Sequence, residues 1–104
     1  MILTTTNTIE GKSVSKYLGI VTGTTYVTYE MTKMSFKDMF KQKKYYEAYE
    51  KGLEEAKEEA FQKLKDNAER LNANAIIGIS VDVESVSGSM YTMVSVVGTA
   101  AVII

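Results

Sequence analysis

The sequence predicts an α+β domain: one antiparallel sheet with a long helix, preceded by a short one, packed on a single face. Three observations carry that reading. Apolar residues from Tyr46 to Leu71 recur at three- and four-residue steps, the period of a helix. On either side the pattern changes to β-branched runs in which apolar and polar residues alternate. The length, 104 residues, suits one core, so residues 1–104 are read as a single domain.

The elements follow in order. Ile2-Leu3-Thr4-Thr5-Thr6 is short and β-branched, and Asn7–Lys12, with Gly11, reads as a turn. Tyr17–Thr22 and Tyr26–Tyr29 form strand patterns interrupted at Gly23, where a bulge or bend is expected. Ser35 with Asp38 resembles a helix start, and Phe36, Met39 and Phe40 share one face of a short helix. Lys41-Gln42-Lys43-Lys44 breaks the apolar rhythm and predicts a gap. The long helix follows, its stripe made by Tyr46, Tyr49, Leu53, Ala56, Ala60, Leu64, Ala68 and Leu71, with Asn72 placed to end it in a left-handed turn. In Ile77–Glu84 the odd positions are apolar, as in a half-buried strand. Ser87-Gly88-Ser89 reads as a hairpin turn, and Met90–Ile104 as a returning strand with a bulge at Gly98.

That last strand breaks the pattern a one-helix-layer sheet should show. Met93, Val94, Val96, Val97 and the run Ala100–Ile104 place apolar groups on both faces, while one helical layer covers only one. A wet valine or isoleucine forgoes about 1.5–3 kcal/mol of burial. A second copy of the chain is the simplest cover, with Val94, Val96, Val97 and Val102 as the expected interface residues. The other reading is a C-terminus that folds back on its own core.

Composition excludes several chemistries. There is no histidine and no cysteine. A Ser-His-Asp triad, an imidazole base and the usual zinc, copper(II) and iron–sulfur sites are therefore out of reach. No disulfide framework is present, and the start of the chain lacks the basic and apolar regions of a signal peptide, so the cytoplasm is the expected location. The net charge of −1 supplies no field for gathering nucleic acid or anionic lipid. The uncharged segment Ser85–Ile104 is long enough for a membrane span, but its serines, threonines and glycines suit strands and a turn. Gly19-Ile20-Val21-Thr22-Gly23 lacks the Lys-Ser/Thr of a phosphate loop and the spacing of a dinucleotide fingerprint.

What remains is modest. Glu54, Glu55, Glu58 and Glu59 could place two carboxylates on one hard cation, but lysines interleave them as on a solvated helix face. Lys33, Lys37, Lys41, Lys43 and Lys44 surround Phe36 and Phe40, whose spacing is that of a core rather than a base-stacking platform. Met31, Met34 and Met39 could offer thioethers to copper(I), and read first as packing. Tyr45, Tyr46 and Tyr49 likewise read as helix packing. Asp82 and Glu84 share a strand face. With Glu50, they are the carboxylates that could converge on a ligand or ion only across subunits. No catalytic residue, resident cofactor or metal site is assigned.

Several segments together resemble the YbjQ-like family, bacterial proteins of uncharacterised function often described as heavy-metal-binding. They are Thr4-Thr5, Ile9-Glu10-Gly11-Lys12, Gly19-Ile20-Val21-Thr22-Gly23, Tyr49-Glu50, Glu55-Ala56-Lys57, Ala73-Asn74-Ala75-Ile76-Ile77-Gly78, Asp82-x-Glu84, and Met93-Val94 through Gly98-Thr99-Ala100. They span nearly the whole chain. The resemblance implies a dodecin-like sheet and helix assembled as a ring of five. The chain departs from the family at Thr24, where an acid is usual, and at Lys43-Lys44-Tyr45-Tyr46, which replaces a Gly-Gly-Arg-Ser loop. The metal description finds no soft ligand here except methionine. The expected function is a non-enzymatic ring that binds a small ligand or ion between subunits, its partner being itself. The alternative is a purely structural or partner-binding subunit.

Overall fold

The structure is a computed structural model that describes residues 1–28, 42–85 and 91–104. The expected short helix at Phe36–Phe40, the lysines and methionines of that group before residue 42, and the turn at Ser87-Gly88-Ser89 lie outside the described residues. So do the side chains of Tyr45, Tyr46 and Tyr49. Four strands and a helix follow in the order β1 (Ile2–Leu3), β2 (Val14–Thr28), α1 (Gln42–Arg70), β3 (Ala75–Ser85) and β4 (Tyr91–Ile103). They make an α+β fold with one sheet, ordered β1-β3-β4-β2. β4 is antiparallel to both β2 and β3, whereas β1 is parallel to β3. The sheet is therefore mixed, because Ile2 and Leu3 run beside β3 rather than joining β2 in a hairpin.

α1 lies over β2 and β4 and barely reaches β3. Its stripe of Ala56, Ala60, Leu64 and Ala68 is buried, and packs with Val21, Val27, Ile76, Ile79, Val94, Val96 and Ala100 in the main core. The small alanines let the helix approach closely, and Gly23 completes the fit. A Cβ there would overlap the main-chain carbonyl of Ala60 and lie 3.0 Å from the Leu64 nitrogen. Two residues on, the buried Thr25 hydroxyl donates to the Ala56 carbonyl at 2.7 Å. Gly23 thus serves close packing, not the expected bend. β2 runs straight through it in register with Val96, and its irregularities fall at Val14/Lys16 and Tyr17/Gly19, where Gly19 has φ 121°.

The helix includes Gln42, Lys43 and Lys44, so the gap expected there is absent over those residues. Lysine and glutamine are good helix formers, and breaking an apolar stripe does not break a helix. At the other end Asn72 adopts φ 63°. The Asn72 amide donates to Glu69 and the Ala73 amide to Ala68, at 3.0 and 3.1 Å, which closes a Schellman cap as asparagine's tolerance of that conformation suggests. Leu71 follows the last helical turn and is exposed.

Gly78, with φ 60°, sits in a bulge of β3. The register jumps from Ile77↔Thr99 to Ser80↔Val97, so Gly78 and Ile79 together oppose Gly98. The bulge expected at Gly98 is thus carried by the facing strand. The extra residue inverts the phase of β3: Ile76 and Ile79 point to the helix, and Ile77 does not. A Cβ on Gly98 would meet Ile76 Cγ2 at 2.6 Å and Ile79 Cγ1 at 3.0 Å. Beyond the bulge Val81 and Val83 share the helix-side face, yet both are exposed, since α1 does not cover that end of β3.

From Tyr91 to Ala100 the returning strand does alternate. Thr92, Val94, Val96 and Ala100 are buried, while Tyr91, Met93, Ser95, Val97 and Thr99 face the other way. The two-faced pattern expected there holds less strongly than the bare sequence suggests. Asn74 fastens the far end of β4: its side chain donates to the Ile103 carbonyl at 2.9 Å and accepts from the Ile103 amide at 2.7 Å.

Candidate functional site

The face of the sheet opposite α1 carries three of the residues expected from sequence, Asp82, Glu84 and Val97. Pairing through β4 defines its rows. Glu84, Met93 and Tyr26 form one row; Asp82, Ser95 and Thr24 the next; Ser80, Val97 and Thr22 the third. Ile20 and Thr99 lie beyond. Ile20 is 77% exposed, Tyr26 60%, Tyr91 48% and Val97 37%. The rings of Tyr26 and Tyr91 meet edge to face with centroids 6.3 Å apart, so two phenols are already organised on this surface. A flat patch of tyrosine, isoleucine and valine among threonine and serine hydroxyls, bordered by two carboxylates, can hold another apolar surface and also satisfy polar groups on it.

Asp82 and Glu84 stand together here, two residues apart on one strand face and both exposed. Glu50 is exposed on α1, which occupies the opposite face, so the sheet separates it from the other two. One chain therefore does not bring the three carboxylates together. The four valines also divide. Val94 and Val96 are wholly buried beneath α1 of their own chain, which accounts for their apolar character without a partner. Val102 is half-buried on the helix-side face, and Val97 alone stands on the open one. The sequence places apolar groups on both faces of β4, and it does not show which of the two faces the helix covers.

Ile20, Tyr26 and Tyr91 were not among the residues expected to carry function. In sequence they look like ordinary strand residues, and only their exposure marks them.

Among the described residues the donor set does not fit a heavy metal. Histidine and cysteine are absent from the chain. Among the described residues no three carboxylates come together as a cation cage. Of the described thioethers, Met1 lies beside the β1 end of the sheet and Met93 in the Glu84 row at the other. No helix among the described residues is long and apolar enough to cross a membrane.

Comparison with known proteins adds four findings. A family model, YbjQ, described as "Putative heavy-metal-binding", matches residues 1–104. A UPF0145 protein of Carboxydothermus hydrogenoformans is 42% identical over 106 residues, covering 99% of this chain and 96% of its own. A UPF0145 protein of Clostridium kluyveri is 41% identical over 107 residues, covering 99% of both. A solved structure of a protein of unknown function from Pediococcus pentosaceus, assigned to the DUF74 family, is similar with a TM-score of 0.61 and 26% identity. The likeness covers 100% of this chain and 98% of that one.

Proposed function

The chain belongs to the YbjQ-like family, whose model spans it from end to end, and on that premise we propose that it is a self-assembling binding protein without catalytic activity. Copies associate in a closed ring, of five by the family resemblance, and hold a small ligand or ion between them. The observation that carries this reading is the exposed apolar set on the open sheet face, Ile20, Tyr26, Tyr91 and Val97. Apolar surface gathered in one patch rather than scattered marks a contact surface. A ring that turns these faces inward covers them and sets Asp82 and Glu84 of one copy near Thr24 and Tyr26 of the next, giving a ligand carboxylates, hydroxyls and phenols.

The absence of histidine and cysteine supports a hard cation or an organic ligand rather than a thiophilic metal. The test is native mass spectrometry of untagged protein purified from its own host, with light scattering at micromolar concentration. A single multimer with a mass excess per ring is expected. A monodisperse monomer at all concentrations overturns the reading.

A further inference from the structure

Toward Tyr91 the open face of the sheet carries a corner built from two tyrosine rings and a carboxylate. Strand pairing fixes its plan. Tyr26 and Glu84 flank Met93 in one row, and Tyr91 is the next residue of β4 on the same face. Tyr91 is therefore diagonal to both. Diagonal neighbours on a sheet stand about 7–8 Å apart, within reach of aromatic and long side chains. The planes of the Tyr26 and Tyr91 rings are 72° apart and their centroids 6.3 Å apart. Rings so inclined make two walls, and one centre between them lies within about 6 Å of both centroids, the range over which a ring face attracts a cation.

The charge on this face is uncompensated among the described residues. From Ile20 to Tyr26, from Ser80 to Glu84 and from Tyr91 to Thr99, the open-face positions are apolar, hydroxyl-bearing or acidic, and none is lysine or arginine. Lys16 pairs with Val102, on the helix side near the far end of the sheet. The ion pairs among the described residues, Lys57 with Glu54 and Lys63 with Glu59, both lie on α1. Two negative charges, Asp82 and Glu84, thus stand beside the tyrosines with no cation of this chain next to them.

The corner suits one kind of cation. A hard metal ion takes about six oxygens or more. Asp82 and Glu84 project side by side from one strand, about 7 Å apart, and no third acidic side chain joins them among the described residues. A primary ammonium carries three N–H donors, and Glu84 is the one strong acceptor beside the rings. A quaternary ammonium has no N–H to satisfy. Its methyl groups pack on the ring faces and on the Met93 side chain, and it needs only a counter-charge nearby.

We propose that the Tyr26–Tyr91 corner binds a small quaternary ammonium compound, its methyl groups against the two rings and its charge balanced by Glu84, with Asp82 adding to the field. This names the ligand class for the ligand-binding part of the function proposed above and rests on that part. It does not depend on the ring, since one chain supplies both rings and the carboxylate.

The test is an NMR titration of protein with ring-labelled tyrosine, using tetramethylammonium, its neutral isostere tert-butanol, and methylammonium. Tetramethylammonium should shift the Tyr26 and Tyr91 signals saturably and bind about tenfold or more tightly than either of the other two. Tyr26→Leu should weaken binding about threefold, while Tyr26→Phe, which keeps the ring, stays within about twofold of wild type. Glu84→Gln should weaken it too and flatten its dependence on salt. Equal binding of tert-butanol, or wild-type affinity in Tyr26→Leu, overturns the proposal. So does displacement of tetramethylammonium by calcium at equal concentration, which would assign the face to a metal ion. Should the leucine variant fail to fold, the three ligands on unaltered protein still decide. Light scattering on the same samples separates this inference from self-assembly. A multimer whose tyrosines ignore tetramethylammonium overturns the site and leaves the assembly standing; a monomer that binds it overturns the ring and leaves the site standing.

Discussion

Replacing Gly23 by alanine probes the closest contact between helix and sheet. The added Cβ would run into the Ala60 carbonyl and stand 3.0 Å from the Leu64 nitrogen, both main-chain atoms of a continuous 29-residue helix. No rotamer change relieves that overlap, so the helix must lift from β2. Lifting loosens the buried stripe at Ala56, Ala60, Leu64 and Ala68, and strains the 2.7 Å bond from Thr25 to the Ala56 carbonyl. Overpacking a core costs about 1–3 kcal/mol, and the weakened hydrogen bond adds about 1 kcal/mol. A total near 3 kcal/mol is a large share of the ~5–15 kcal/mol available to a domain of this size. At ~4–8 °C per kcal/mol, the melting temperature should fall by about 12 °C or more. Gly52→Ala is the matched control, because its Cβ meets only Val27 Cγ1, at 3.4 Å, within the same helix. Removing a mid-helix glycine should stabilise by ~0.5–1 kcal/mol. Both variants should be melted by circular dichroism at one fixed protein concentration, since the proposed self-association would tie melting to concentration. Gly23→Ala melting within about 3 °C of wild type would refute the packing argument, given that 1 kcal/mol moves the midpoint by at least that much.

Three further outcomes are expected. Leu64→Ala removes a wholly buried side chain and should cost about 2–5 kcal/mol in urea denaturation, with an unchanged slope against denaturant. Val96→Asp buries an unpaired charge and should abolish the folded circular dichroism spectrum, whereas Val97→Asp on the open face should keep the spectrum and lose the assembly in light scattering. Equal behaviour of the two would contradict the assignment of faces. Untagged, metal-free protein titrated calorimetrically with zinc or copper(II) should show no nanomolar site, a Kd near ~1 nM being about −12 kcal/mol; a saturable one would point to a donor set created by assembly.

The sequence by itself determined the chemistry that is excluded and the broad architecture. Missing histidine and cysteine are facts of composition that no folding can alter. The helix from Leu53 to Ala68 was legible because a 3.6-residue period lies within one contiguous segment, and its end was legible at Asn72, because a left-handed cap depends on one residue's own backbone preference. Contacts between distant segments were not legible. Gly23 and Gly98 each look like a bulge in a strand, and only the helix above one and the isoleucines facing the other reveal close packing. Gly78 shifts the phase of β3, so the even alternation of Ile77, Ile79, Val81 and Val83 does not report a single face. Asn74 lies outside any strand run, and its role appears only when its side chain meets Ile103. The exposure of Val81 and Val97 against the burial of Val94 and Val96 was decided by where α1 lies across the sheet. A strand's sequence gives the period of its side chains; which side is covered depends on the element packed against it, and that is a property of the tertiary structure alone.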